Sequence, residues 1–222
     1  MDRITIVIGI KPPTLRGCML APTRVPHPWQ IGWPVLASEK IDGVRNLVFP
    51  RFGSRSRSGC TWRARALPGR FAALQAVVDE HGLVLDGEFW IPGLTPREIQ
   101  ARLFDLDGDL SGLQYLVFDA VGYVEYEGES VTPFIARHVR VRELLAGVDH
   151  VSVLEQRPLA AWPELCRLYR EVRGRGGEGL MIRRPDGLYR HGRCGMDERA
   201  IFKIKPIHAN SLQTDIPCGL EV

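Results

Sequence analysis

The sequence predicts an α+β fold built largely from antiparallel sheets. Strand-like runs and amphipathic helical stretches alternate irregularly along the chain, without the regular strand–helix–strand order of a parallel sheet. No internal repeat or low-complexity tract is present, so a solenoid is not indicated. The 222 residues are enough for one large domain or two small ones with a substantial core.

The individual elements follow from hydrophobic periodicity. Seven strands are predicted from apolar or alternating runs, at residues 34–40, 44–49, 83–91, 115–124, 151–155, 179–183 and 200–204. Four helices are predicted from apolar positions at helical spacing, at residues 69–81, 95–104, 133–146 and 161–173. Two glycine-bearing segments are predicted to be exposed loops, at residues 52–59 and 184–195.

The composition is that of an ordinary folded protein, with 45% hydrophobic and 25% charged residues. No apolar run approaches the roughly 20 residues that cross a bilayer, so no membrane association is expected. The five cysteines are odd in number and lack paired spacing, which fits a reducing compartment and argues against a disulfide framework or a zinc site. We therefore expect a cytoplasmic protein, in a bacterium or a phage-infected host cell.

Nearly all the basic residues are arginines. Among 29 Lys and Arg residues, the four lysines are Lys11, Lys40, Lys203 and Lys205. Lysine can lose its proton and act as a nucleophile, whereas arginine stays protonated. A chain this rich in arginine is expected to keep lysine where a nucleophile is needed, although biased codon usage would also leave a few lysines at random.

Basic charge is concentrated in two parts of the chain, although the formal net charge is only +3. Residues 43–78 contain seven arginines and no acidic residue, and residues 164–206 contain eleven basic and six acidic residues. Such a local excess suits a polyanion such as a nucleotide or a nucleic acid. A solvated arginine-rich surface would give the same pattern.

The segment Lys-Ile-Asp-Gly-Val-Arg at residues 40–45 runs from a predicted strand into a turn. A lysine at a strand end beside a tight glycine turn can present its amine to a bound phosphate. Asp42 and Arg45 would then lie beside it and contact ribose or phosphate. The segment could instead be a plain hairpin, because Asp-Gly is a common hairpin turn.

Two further predicted strands carry residues that could face the same site. Alternation puts Asp86 and Glu88 on one face, where they would suit a Mg²⁺ ion or a ribose near the lysine. In the Phe-Asp pair at residues 118–119, Phe118 could stack on a purine. Asp86 and Glu88 could instead lie on an ordinary exposed strand face, and Phe118 could instead be a core residue.

The last two motifs lie near the C-terminus. Glu178 is a third carboxylate, followed by an apolar strand that could pack on a base. Alternation puts Lys203 and Lys205 on one face, and a bound polyphosphate would offset the repulsion between the two ammonium groups. The segment at Glu178 could instead be a loop that enters a core strand, and the two lysines could instead lie on a solvated edge strand.

The five motifs occur in a specific order: Lys-x-Asp-Gly-x-Arg, Asp-Gly-Glu, Phe-Asp, Glu-Gly and Lys-x-Lys. This series resembles the nucleotidyltransferase signature of ATP-dependent DNA ligases and mRNA capping enzymes, over residues 19–206. The flanking residues favour the compact DNA ligases of bacteriophages, at residues 18–21, 34–39, 56–59 and 181–187, with Tyr189.

This resemblance implies the adenylation (nucleotidyltransferase) fold, with helices flanking antiparallel sheets and the nucleotide in the cleft between them. It implies that Lys40 attacks the α-phosphate of ATP and holds AMP as a phosphoramidate, while Lys203 and Lys205 neutralise the phosphate. The residues implied to contact the nucleotide are Glu39, Asp42, Arg45, Glu88, Phe118 and Met181.

The resemblance also implies a metal and a nucleic-acid substrate. Glu88 and Glu178 would hold Mg²⁺ or Mn²⁺, and Arg57 would engage the 5′-phosphate at a nick in double-stranded DNA. AMP transfer to that phosphate and sealing of the nick would serve DNA repair, replication and recombination. Cys60 departs from the family, because a basic residue often stands there.

The motifs divide the chain into three expected parts. Residues 1–18 are an extension of unknown role, residues 19–206 are the adenylation domain, and residues 207–222 are a tail too short for the oligonucleotide-binding (OB) barrel of the family. We expect a monomer, with an OB-fold domain supplied separately or by a partner. The alternatives are a reduced ligase core that only binds nucleotide or DNA, and an RNA ligase or capping-type enzyme.

Overall fold

The computed structural model describes residues 16–206, so the predicted tail and most of the predicted N-terminal extension lie outside the described residues. The strands are β1 Met19–Leu20, β2 Val35–Glu39, β3 Val44–Phe49, β4 Gly53–Ser56, β5 Leu83–Trp90, β6 Gln114–Gly122, β7 Val151–Val153, β8 Arg157–Leu159, β9 Leu180–Arg183, β10 Gly192–Arg193 and β11 Ile201–Ile204. The helices are α1 Leu67–Arg70, α2 Ala72–His81, α3 Pro96–Phe104, α4 Tyr123–Glu127, α5 Phe134–Leu144 and α6 Trp162–Gly174, with a 3-10 turn at Pro28–Gln30.

Two main sheets and a small one organise the described residues. The larger sheet has the strand order β4-β3-β5-β6-β7, and the second has the order β11-β9-β2-β8. All pairs in these two sheets are antiparallel except β6 with β7. Strands β1 and β10 form a parallel two-stranded ribbon. The predicted α+β fold with largely antiparallel sheets is therefore confirmed.

Each main sheet has its own helical layer, and a third core cluster joins the sheets. Helices α2 and α3 bury residues such as Leu74 and Ile99 against the five-stranded sheet. Helix α6 buries Leu165 among residues of the four-stranded sheet. The joining cluster contains Phe49 from β3 and Ile201 from β11. Because the third cluster spans both sheets, their facing edges are held at a fixed separation and can line a cleft.

The seven predicted strands and four predicted helices are all present, with local differences. Residues 53–56 were expected to lie in a loop but form β4, because they pair with β3 through the backbone without an apolar alternation in sequence. The helix expected at 69–81 begins earlier and is interrupted at Phe71. Residues 123 and 124, expected in a strand, begin α4. None of the described helices is long and apolar enough to cross a membrane.

A β-bulge distorts β6 where it faces the cleft. Asp86 and Gly87 are neighbours on β5, yet they pair with Asp119 and Val117, so Phe118 is the extra residue. In a regular strand Phe118 and Asp119 would point to opposite faces. Here both contact Arg183, whose Cζ lies 5.5 Å from the Phe118 ring centroid and whose Nη1 lies 2.8 Å from Asp119 Oδ2. The bulge thus brings an aromatic ring and a carboxylate to the same side.

His138 on α5 is an unusual buried group. It is 3% exposed, and neither ring nitrogen has a hydrogen-bond partner among the described residues. Burial, followed by the charge of Arg142, lowers the pKa of His138, while Asp119 acts in the opposite direction. The folded protein therefore disfavours the protonated ring.

We expect acid to destabilise the fold through His138. Above a pH of about 6.5, the ordinary histidine pKa, the ring is neutral in both the folded and the unfolded state. Below it, the unfolded state takes up the proton more readily, so the free energy of unfolding falls. His138→Leu is expected to reduce the difference between the free energies of unfolding at pH 7.5 and pH 5.5, about one unit on either side of that value, measured by urea denaturation.

His81→Leu, at the half-buried end of α2, is the matched control and should keep the wild-type difference. An unchanged pH dependence in His138→Leu would show that another group carries the acid sensitivity.

Candidate functional site

A cleft between the two main sheets brings together residues from motifs that are far apart in the sequence. Strands β3, β5 and β6 contribute one wall, and β2, β9 and β11 contribute the other. Residues of β1 close one side. The residues expected at the site that line this cleft are Glu39, Lys40, Arg45, Arg57, Glu88, Phe118, Met181 and Lys203.

Strand register explains the wall formed by the four-stranded sheet. Met181 on β9 pairs with Ser38 on β2 and with Lys203 on β11. Residues opposite each other in adjacent strands share a face of the sheet. Alternation along β2 then directs the side chain of Glu39 to the other face, where its carboxylate pairs with Arg175 at 2.5 Å. Glu39 therefore borders the cleft mainly through its backbone.

Lys40 directly follows β2 and is held at two points. Its backbone N–H donates to the carbonyl oxygen of Gly179 at 2.8 Å. Its Nζ forms an ion pair with the carboxylate of Glu178, and both side chains are about one quarter exposed, at 22% and 26%. Gly179 has a φ of 150°, and a side chain there would collide with the carbonyl oxygen of Ile204. The loop that carries Glu178 can thus approach Lys40 only because residue 179 is glycine.

Glu88 lies opposite Lys40, and the Asp-Gly turn of the first motif holds it. Its Oε2 accepts a hydrogen bond from the backbone N–H of Gly43 at 3.0 Å. A Cβ at residue 43 would lie 2.6 Å from the carbonyl oxygen of Phe89, so glycine permits this approach. Burial raises the pKa of Glu88 to about 7, against the opposing charges of Arg45 and Lys40. Glu88 therefore changes its charge near neutral pH.

Arg45 is fixed from behind by Asp86. Its Nε and Nη2 lie 2.5 Å and 2.7 Å from the two carboxylate oxygens, and its Cζ lies 4.5 Å from the ring centroid of Phe118. Asp86 is completely buried and does not line the cleft. The expectation that Asp86 and Glu88 both point into the cleft is therefore wrong for Asp86, because its oxygens are taken up by Arg45.

Two arginines at the cleft were not anticipated. Arg183 is buried and shares the carboxylate of Asp119 with Arg137. Arg193 donates from Nη1 to the carbonyl oxygen of Ala21 at 2.9 Å. Arg183 lies two residues after Met181, so the alternation of β9 could have indicated its face. Arg193 lies in a segment that was expected to be a loop, and no sequence signal placed it.

Of the remaining expected residues, Lys203 lines the cleft, whereas Glu178, which pairs with Lys40, does not. Burial, followed by the charges of Lys205, Arg193 and Lys40, lowers the pKa of Lys203. Lys205 follows β11 and is not among the cleft-lining residues. Asp42 is exposed and also outside the lining. The roles of Lys205 and Asp42 in nucleotide binding stay predictions.

The donor set can be compared with the needs of a magnesium ion. No group of three His, Cys, Asp or Glu side chains that could hold a metal occurs within residues 16–206. Magnesium usually binds one or two carboxylates together with phosphate oxygens and water. Glu88 lines the cleft within the electrostatic influence of Lys40, and Glu178 contacts Nζ of Lys40, so the two carboxylates fit an ion that arrives with a nucleotide.

Comparison with known proteins gives one consistent family. Residues 31–205 match the model of the ATP dependent DNA ligase domain. A DNA ligase of Thermococcus fumicolans is 26% identical over 175 residues, which cover 74% of this chain and 29% of that protein. The chain thus spans less than a third of the length of this curated relative.

Solved structures of ligases share the fold. The DNA ligase-adenylate of Chlorella virus has a TM-score of 0.64 at 25% identity, covering 85% of this chain and 68% of that one. The ATP-dependent DNA ligase of bacteriophage T7, in complex with ATP, has a TM-score of 0.69 at 19% identity, covering 86% and 69%. Pmar-Lig_PreS3 has a TM-score of 0.71 at 23% identity, covering 86% and 46%. The resemblance inferred from the five motifs is confirmed.

The buried ion pairs behind the cleft should contribute strongly to stability. Asp119→Ala leaves Arg137 and Arg183 without their carboxylate, and removing one partner of a buried pair costs about 3–5 kcal/mol. We expect a loss of that order in the free energy of unfolding, measured by urea denaturation. Asp107→Ala breaks an exposed pair with Arg65, whose side chains are 80% and 68% exposed, and should cost less than about 1 kcal/mol. Equal losses in the two variants would contradict the buried network.

Proposed function

The chain belongs to the ATP dependent DNA ligase domain family, and from that membership we propose that it forms the self-adenylylating core of an ATP-dependent DNA ligase. The observation that carries the proposal is the position of Lys40. Its amine lies in a cleft beside Glu88 and Lys203, between the strands that carry the other motifs. Residues 19–206 would form the adenylation domain.

In the proposed reaction, Nζ of Lys40 attacks the α-phosphorus of ATP as a neutral amine. The N–P bond forms, the P–O bond to pyrophosphate breaks, and AMP stays on Lys40 as a phosphoramidate. In the ion pair the amine is protonated, so one proton must leave before attack, and the carboxylate of Glu178 in contact with Nζ is placed to accept it. A second proton leaves the nitrogen once the N–P bond has formed, and the departing pyrophosphate can take it up. The same ion pair holds the amine in place before ATP binds.

Cations around the cleft would stabilise the negative charge of the phosphates. Lys203, Arg45 and Arg193 all line the cleft with Lys40. Fixed cations that face developing negative charge are among the largest contributions to phosphoryl transfer. Burial and then the charges of Lys205, Arg193 and Lys40 lower the pKa of Lys203, and a bound polyanion would offset those charges.

The base would lie on the apolar side of the cleft. Phe118 and Met181 offer a ring and a thioether there, and the backbone at Glu39 offers hydrogen-bonding groups at the base edge. Stacking of a base on an aromatic side chain contributes about 1–3 kcal/mol. Glu88 and the other carboxylate oxygen of Glu178, Oε1, would hold Mg²⁺, which when bound neutralises phosphate charge.

The second half of the proposed function concerns DNA. AMP would pass from Lys40 to the 5′-phosphate at a nick, and the adjacent 3′-hydroxyl would then displace AMP. Arg57 is exposed just after β4 and also borders the cleft, which suits a contact with that phosphate. Because the relatives are longer than this chain, we propose that an OB-fold domain, on the same chain or a partner, completes the grip on DNA. We further propose that the protein acts as a monomer in the cytoplasm.

Covalent labelling tests the first step. Incubation with ATP labelled at the α-phosphate and Mg²⁺, followed by denaturing electrophoresis, should leave label on the wild-type chain. Lys40→Arg should abolish the label, because arginine keeps its charge and cannot supply a free amine. GTP and NAD, offered in parallel, should give no comparable label.

Arg170→Lys, at an exposed position on α6, is the control for an exchange between lysine and arginine and should label normally. Addition of nicked DNA to the labelled protein should remove the label and yield sealed strands. Absence of label from all three nucleotides, with folding verified by circular dichroism, would favour a module that binds nucleotide or DNA without reacting.

Binding of ATP with Mg²⁺ should weaken as the pH falls through 7. The pKa of Glu88 is raised to about 7, so the carboxylate is present above that value and is lost below it. Its charged fraction falls about fivefold between pH 7 and pH 6. We expect a matching rise in the dissociation constant measured by calorimetry between about pH 6 and pH 8.

Glu88→Gln should bind ATP with only the pH dependence of ATP itself. Glu98→Gln changes an exposed glutamate that caps α3 and should keep the wild-type profile. If the dissociation constant of Glu88→Gln follows the same pH dependence as the wild type, Glu88 does not contact the metal or the ribose.

A further inference from the structure

The hydroxyl of Tyr189 joins two distant parts of the chain behind the cleft. Tyr189 is 4% exposed. Its hydroxyl donates to Oδ2 of Asp86 at 2.8 Å and accepts from the backbone N–H of Met19 at 3.4 Å. A hydroxyl has a single proton to donate, and here it goes to Asp86. Burial, followed by the charge of Asp86, raises the pKa of Tyr189 far above its usual range, so the proton stays on the phenol.

Asp86 connects the hydroxyl of Tyr189 to the guanidinium of Arg45. Both carboxylate oxygens of Asp86 accept hydrogen bonds from the guanidinium, and Oδ2 is shared with Tyr189. The side chain of Asp86 is only 1% exposed, so water cannot replace a lost partner. The bidentate contact fixes the plane of the guanidinium, because the group is rigid and its donors point in set directions. The Tyr189 hydroxyl therefore helps to fix the orientation of Arg45.

Met19 is held at both of its backbone polar groups by the same network. Its N–H is bound by Tyr189, and its carbonyl oxygen accepts from Nη2 of Arg45 at 3.1 Å. Met19 and Leu20 form β1 and line the cleft, whereas Tyr189 does not line it. One phenol thus supports both an arginine of the cleft and the strand that closes its side.

We propose that Tyr189 is a positioning residue for the nucleotide, acting through Asp86 on Arg45 and directly on the β1 wall. This inference rests on the proposed function, because it assigns Arg45 to the binding of ATP. Tyr189 does not line the cleft, so it would not contact the nucleotide itself. Its loss should weaken binding of ATP in the ground state and the transition state alike, which raises KM and leaves kcat nearly unchanged.

Tyr189→Phe removes only the hydroxyl and keeps the buried ring. In the covalent labelling assay, KM for ATP should rise about five- to tenfold while kcat changes less than about twofold. The matched control is Tyr115→Phe, which removes another buried hydroxyl, one that donates to the carbonyl oxygen of Asn46 at 3.0 Å and makes no hydrogen bond to Asp86 or Met19. If Tyr189 has only a structural role, both variants will lower Tm and neither will change KM, and the proposal fails.

A double-mutant cycle tests the route through Asp86. If Tyr189 acts through this carboxylate, adding Tyr189→Phe to Asp86→Asn should raise KM much less than Tyr189→Phe raises it alone, and the contact with Met19 accounts for the remainder. A full multiplicative effect would overturn the route. Should Asp86→Asn fail to fold, Arg45→Lys replaces it in the cycle, because lysine lacks the planar fork that Asp86 orients.

Hydrogen exchange tests the positioning without any nucleotide. Tyr189→Phe should speed amide exchange in peptides that contain Met19, and Tyr115→Phe should not. Unchanged exchange in Tyr189→Phe would overturn the proposal whatever the labelling shows. If Tyr189→Phe exchanges faster but the wild-type protein takes no label from ATP, then the hydrogen-bond network exists and the proposed ligase function fails.

Discussion

Two buried carboxylates, Asp86 and Asp119, hold the guanidinium groups of Arg45 and Arg183, which line the cleft, and of Arg137. Charges so far from water are tolerated only when they are paired and hydrogen-bonded. Three cations share two anions, so the cluster keeps an excess positive charge. That excess favours an anionic ligand in the cleft, as the phosphates of the proposed nucleotide would be.

The bulge in β6 makes this arrangement possible. Without an extra residue, Phe118 and Asp119 would face opposite sides of the sheet, and only one of them could meet Arg183. With it, the guanidinium contacts the ring and the carboxylate together. Arg45 reaches the same ring from β3. The aromatic surface that a base would contact is therefore held in place by the charge network, which couples base binding to the fold.

The surroundings of Lys40, the proposed nucleophile, come from both main sheets. Lys40 follows β2 of the four-stranded sheet, whereas Glu88 belongs to β5 of the five-stranded sheet. Glycines at residues 43 and 179 let the surrounding segments approach closely enough to hold Glu88 and Glu178 near the amine. The ligase structures at 19–25% identity share this fold although most of their aligned residues differ from those of this chain.

The sequence by itself determined the α+β class, most strands and helices, and the motifs that converge on the cleft, because periodicity and short spacings are local properties. The scarcity of lysine and the order of the five motifs also led to the prediction that Lys40 is the reactive residue. Only the tertiary structure decided that Asp86 turns inward and that Arg183 and Arg193 reach the cleft. The partners that decide these positions are remote in sequence: Asp86 and Tyr189 are 103 residues apart. Local patterns carry no information about which distant donor will meet a buried carboxylate, so packing settles the choice.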